Sequence, residues 1–223
     1  MKKFFVFFVL IVCIFGFSCN TRGKNPQSII TSGIELSVEP GEHWLEKVKI
    51  LMFHRNRIPQ MAAWIEDIQG HYISTITVTN KGSKNKWKMA PKNGRPEALP
   101  VWSHKIANND MAQIDSVSAA TSKEGVEIKI HDDSLIKGEE YNVYLEINHS
   151  SDYNDTWPEV KNDVNGQPSL IYWAKFSAGE SGTTKLIPIG HGSVDGSNGN
   201  IVQELGGMTT ALTIIDGAYI IIK

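Results

Sequence analysis

Residues 61–79, MAAWIEDIQGHYISTITVT, constrain the fold of this chain more than any other stretch, because they read as a β-hairpin from end to end. Residues 61–66 are apolar and aromatic. The following arm alternates, with Tyr72, Ile76 and Val78 on one side and Ile73, Thr75 and Thr77 on the other. Asp67-Ile68-Gln69-Gly70 joins the arms, and a loop of that length needs one residue at positive φ, which Gly70 supplies without a Cβ clash.

Further strands are expected at residues 34–38, which run into the turn dipeptide Pro40-Gly41, and at 48–53, 126–130, 141–147, 170–176 and 183–189. In the stretch 141–147, Tyr141, Val143, Leu145 and Ile147 share one face; Asn142, Tyr144, Glu146 and Asn148 share the other. Asp216-Gly217, between the apolar runs 211–215 and 218–222, predicts a closing hairpin that pins the C-terminus into a sheet. In RPEALPVW, residues 95–102, two prolines argue against a helix, and Leu99, Val101 and Trp102 offer apolar cover for a sheet edge. A short helix is allowed only within 103–113. Residues 149–168 form a long polar loop, a length more often functional or mobile than filler, and 190–199 read as turns. Roughly ten strands with short connections and little helix predict an all-β, antiparallel Ig-like sandwich. Residues 34–223 are read as one elaborated domain.

The N-terminus implies export. Lys2 and Lys3 precede an apolar run from Phe4 to Phe17, shorter than the roughly 20 residues of a membrane-spanning helix and suited to a signal-peptide core, so residues 1–18 are read as a signal peptide. Gly16 and Ser18 suit cleavage before Cys19. Cys13 leaves with the signal, so Cys19 has no partner in the chain for a disulfide, and lipid attachment at Cys19 explains a lone thiol at the first mature position better than the alternative, plain secretion after cleavage at the same bond. Asn20 follows where an Asp would favour retention at the inner membrane, so the outer membrane is the expected destination. Residues 19–33 are read as the lipid-anchored linker. Removal of residues 1–18 takes two lysines and no acid, moving the side-chain charge balance from −2 to −4, which argues against a nucleic-acid partner.

The strings AAWIEDIQGHYISTITVT (62–79), RPEALPVWSHK (95–105), DSVSAATSKEG (115–125), YNVYLEINHS (141–150), PIGHGSVDG and TTALTII resemble, in that order, the predicted periplasmic proteins of domain-of-unknown-function family 2271. The resemblance implies an exported Ig-like β fold similar to domains of flagellar hook-capping proteins, in proteins often encoded near extracytoplasmic flavin and redox components.

Residues 115–121, DSVSAAT, look like the Asp-x-x-Ser/Thr-Gly-Ala-Thr/Ser acceptor motif of proteins carrying covalently attached FMN. On that reading a flavin transferase esterifies Thr121 through the FMN phosphate, with Asp115 and Ser118 matching the pattern and Ala119 standing where glycine is expected. The same residues also read as a tight lead-in to the strand at Val126, with Ser118 and Thr121 capping local backbone groups. The seven histidines, His43, His54, His71, His104, His131, His149 and His191, lack metal-ligand spacing, and most read as surface or edge-strand positions. Asp152, Asn154 and Asp163 loosely echo a calcium loop, but Trp157 stands where that loop turns on glycine. Gly190-His191-Gly192-Ser193 lacks the helix or GxSxG context of a phosphate cradle or nucleophile. Six tryptophans read as core and cover, with sugar stacking as the other option.

No nucleophile with its base and no suitable carboxylate pair can be assembled, so the expected function is non-enzymatic. The expectation is an accessory or carrier in an extracytoplasmic flavin-linked redox system, with envelope redox proteins or a flavin transferase as partners and the membrane reached through the lipid. The alternative is a cell-surface module that binds polysaccharide or protein through the 149–168 loop and exposed tryptophans.

Overall fold

The computed structural model describes residues 33–50, 53–79, 95–107, 118–119, 123–159 and 165–223. Twelve strands are found among them: β1 Ile34–Pro40, β2 Glu46–Ile50, β3 Phe53–Arg57, β4 Gln60–Asp67, β5 Tyr72–Thr79, β6 Ser118–Ala119, β7 Val126–Ile130, β8 Glu140–Asn148, β9 Leu170–Ser177, β10 Gly182–Lys185, β11 Ile187–His191 and β12 Ile215–Ile222. A seven-residue α-helix, α1, spans Pro100–Ile106.

The strands form an antiparallel sandwich. One sheet has the order β10-β12-β1-β7 and the other β11-β9-β8-β4-β5-β6, whose last, two-residue strand pairs in parallel with β5. Inward-facing residues of both sheets build the main core: Leu36 and Val38 from β1, Tyr141, Val143, Leu145 and Ile147 from β8, and Ala218 and Ile220 from β12. That is the face expected for β8 from its alternation. The opposite face of the six-stranded sheet is buried too. Ala62, Trp64, Val78 and Ile171 pack there against Leu99, Val101, Trp102 and Ile106.

The hairpin expected at 61–79 is β4 and β5, with Gly70 at φ +84. Its second arm departs from simple alternation. Two β-bulges leave Ile73 and Ile76 as extra residues, since Trp64 pairs with Thr75 but Ala63 with Thr77, and Ile65 pairs with Ser74 but Glu66 with Tyr72. Each bulge turns an isoleucine into the main core, so Ile76 parts company from Tyr72 and Val78, which face the second apolar layer.

Several other expectations are corrected. The helix begins at Pro100, inside the stretch from which prolines were expected to exclude it: Pro100 takes the first helical position, where no backbone N–H is needed. This helix roofs the face of a sheet, not an edge. The strand expected at 48–53 is instead two strands, β2 and β3, paired as a separate two-stranded sheet. The strand expected at 183–189 is also two, since the buried Leu186 carries the chain from one sheet to the other. Asp216-Gly217 makes no turn. Both residues lie within β12, where Gly217 sits opposite Glu39 with the Tyr219 ring against it, and the preceding Thr210–Thr213 is a 3₁₀ helix that cannot act as a first arm. The C-terminus is nonetheless held in a sheet, between β10 and β1.

Candidate functional site

The residues picked out for lipid and flavin chemistry fall mainly outside the described part of the chain: Cys19, Asp115 and Thr121 lie beyond it, as does Asp163. Ser118 is placed by its backbone. It pairs with Val78, and Ala119 with Thr79, so β6 ends the six-stranded sheet.

The register defines the two poles of the sandwich. At one pole the β4–β5 turn lies beside the start of β8 and the end of β9, through the pairs Asp67↔Tyr141 and Glu140↔Ser177. Gly182, just after β9, pairs with Ile222, and Ile222 with Ile34, so the described chain starts at this same pole. The opposite pole carries Gln60, Thr79, Asn148 and β6. Eight residues of β5 separate the two by about 25 Å.

Two buried polar clusters occupy the second pole, and the sequence reading passed over both. In the first, Glu146 on β8 is fully buried against the α1 roof. It accepts the backbone N–H of Val101 at 3.2 Å and of Trp102 at 2.8 Å, and the Ser169 hydroxyl at 2.7 Å. Burial pushes this carboxyl up to about 7 against those three donors. Gly192 allows the approach, since a Cβ there would lie 2.5 Å from Ser169 Oγ and 2.6 Å from Pro100 Cγ. The indole of Trp102 donates to Thr75 at 3.0 Å. Nearer the other end of β4, buried Glu66 accepts from Trp64 Nε1 at 2.7 Å and pairs with Lys105 of α1 at 3.0 Å. The alternation of β8 put Glu146 on the face opposite Leu145 and Ile147, and the apolar string ALPVW, expected to cover a sheet edge, covers this face instead.

The second cluster surrounds the loop that follows β8. His149, read as a surface or edge residue, is buried, and its Nε2 donates to the carbonyls of His43 at 3.0 Å and Trp44 at 3.3 Å. Its Nδ1 faces Glu46 Oε2 at 3.5 Å. Arg57 donates to the same Glu46 oxygen from Nε at 3.0 Å and from Nη2 at 2.7 Å, and also to the Ser150 carbonyl. Arg95 donates to Ser150 Oγ at 2.6 Å and to Glu97 at 2.7 Å. Burial and the charge of Arg57 push His149 down to about 4, while burial raises Glu46 and Asp152. Ser151 has φ 64, and no other non-glycine residue has positive φ among the described residues. Asn148 Oδ1, Asn165 Oδ1 and His149 Nδ1 are buried without a hydrogen-bond partner among the described residues. Nothing in the spacing of the histidines or acids announces this cluster, because its members come together from strands far apart in the chain.

The remaining candidates are accounted for locally. Asp152 accepts from Thr210, and Asn154 Oδ1 accepts the backbone N–H groups of Thr156 and Trp157. Ser193 donates to Asp195 at 2.6 Å within a turn, and His191 meets the edge of Trp157. Trp44, Trp64 and Trp102 are buried, as expected for core and cover. No described helix is long and apolar enough to cross a membrane.

Comparison with curated proteins and with solved structures gives no match. A family-level comparison matches residues 45–156, just over half of the chain, to the family described as predicted periplasmic protein, domain of unknown function 2271. The match spans the hairpin, the roof and all of β8, with Glu46, Arg57, Glu146 and His149 inside it, and the chain belongs to this family of predicted periplasmic proteins.

Proposed function

We propose that this protein is a lipid-anchored, non-enzymatic accessory or carrier in an extracytoplasmic flavin-linked redox system. The observation that carries the reading is the position of β6. Among the described residues, β6 of the acceptor-like segment 115–121 ends the six-stranded sheet, and a sheet edge is a place where another protein can approach the backbone. It lies at the pole opposite the one where the described chain starts. A tether at Cys19 would enter the domain at the near pole and leave the far pole, with the acceptor-like segment, for a flavin transferase or a redox partner. Attachment requires an activated flavin donor. The Thr121 hydroxyl oxygen attacks the FMN-side phosphorus of a flavin dinucleotide, and the phosphoester forms as the pyrophosphate P–O bond breaks. The nucleoside monophosphate leaves, and the hydroxyl proton passes to solvent. The burial of Trp44, Trp64 and Trp102 removes three of the aromatic rings that a sugar-binding surface would use, which favours the carrier reading over adhesion.

The test is the intact mass of the protein coproduced with a flavin transferase. An FMN-sized increment that disappears in Thr121→Ala supports the carrier. Its absence from the wild-type protein rejects attachment at this segment.

A further inference from the structure

A groove of about 260 Å³ opens at the near pole, where the described chain starts, between the end of β9 and the start of β10. Buried Phe176 and Ile222 supply its apolar part, and the exposed Ser181 and Thr183 stand on its wall. Its charged groups are Glu180 and the Glu140–Lys175 pair, so acid exceeds base by one.

The chain enters the domain beside this groove. The Gly33 carbonyl accepts the backbone N–H of Lys223 at 2.8 Å, Ile34 pairs with Ile222, and Ile222 pairs with Gly182 on the groove's rim. Gly33 has φ +100, which breaks the extended run of β1, and a Cβ there would lie 3.3 Å from the Lys223 carbonyl oxygen. β1 and β10 are two strand spacings apart, roughly 10 Å, a distance that three or four extended residues cross. Counted back from Gly33, that distance ends at Ile30 and Ile29, the only large aliphatic residues of 19–33. The same segment carries Arg22 and Lys24 and no acid.

We propose that residues 28–32 dock in this groove, with Ile30 over Phe176 and Ile222. The hydroxyls of Ser181 and Thr183 serve the backbone of the docked segment, and Arg22 and Lys24 complement the acidic surplus of the groove. A separate peptide is a poorer occupant, because a segment joined to the domain by so short a link competes at an effective concentration in roughly the millimolar range. Docking leaves residues 20–27 as the free tether, about 26 Å when extended, which limits how far the near pole stands from a lipid at Cys19. The docking itself rests on neither the lipid nor the flavin reading.

Amide hydrogen exchange followed by mass spectrometry on the full chain tests it. Peptides covering residues 28–32 are expected to exchange at least about tenfold more slowly than the unstructured rate. Ile30→Asp should return them to that rate. So should Ser181→Trp, which fills the groove from its exposed wall. Both variants should keep the wild-type protection of β8. Exchange of 28–32 at the unstructured rate in the wild type, or protection that survives either substitution, would overturn the docking. Protection that grows with protein concentration would also overturn it, since a second copy then occupies the groove.

Discussion

Glu146 Oε2 accepts the backbone N–H of Trp102 at 2.8 Å, joining a central strand to a roof helix 44 residues earlier in the chain. The carboxylate takes the place of the missing helix cap, since neither Leu99 nor any other side chain of the roof caps α1. Two free backbone donors of the helix and one buried acid satisfy each other, so the roof and the sheet are fastened at a point where neither tolerates water.

The burial of this carboxyl, against the three donors that favour its charge, makes stability depend on pH. The Glu146 carboxyl is raised to about 7 from an ordinary 4.5, so its contribution is fully present below pH 4.5 and is lost as pH rises through 7. The loss amounts to about 3 kcal/mol. Other buried groups titrate in the same range, so the effect is read as a difference: urea unfolding at pH 5 and pH 8 should show Glu146→Gln lacking a loss of this size that the wild type displays.

Removing the roof's anchor should be costly. Trp102 is buried in the second apolar layer, and its indole donates to Thr75. Trp102→Ala is expected to cost about 3–5 kcal/mol in chemical denaturation, with Trp102→Phe less harmful because most of the apolar contact survives.

Gly192→Ala should destabilise by about 1–3 kcal/mol, because the added methyl meets Ser169 Oγ and Pro100 Cγ at once. The thermal midpoint of Gly192→Ala, compared with that of the double variant carrying Ser169→Ala, checks this. Relief of the Oγ contact should recover part of the loss.

Lipid attachment predicts that Cys19→Ser moves the protein from the membrane fraction to the soluble fraction of the envelope and removes the lipid mass from the mature N-terminus. An unchanged distribution would reject the anchor.

The hairpin at 61–79, the β8 strand and the C-terminal strand were legible because each buries an apolar face whose period is local. The proline-rich roof was legible as apolar cover but not as a helix, since the rule against proline in helices lapses at the first position. The false turn at Asp216-Gly217 shows the limit of a dipeptide signal, for a turn needs two arms and the 3₁₀ helix before β12 removes one.

Period and turn chemistry were enough to determine an all-β antiparallel sandwich, and the resemblance of a few short strings pointed to the family of predicted periplasmic proteins that the family comparison shows. Which acids and histidines lie inside it was decided only by tertiary structure. Glu146 sits on the polar face of an alternating strand, and His149 at a position read as surface or edge. Both are buried because other parts of the chain cover them: the roof for Glu146, and the His43–Trp44 turn with the β2–β3 hairpin for His149. Desolvation depends on everything that packs around a group, so no stretch of sequence contains it.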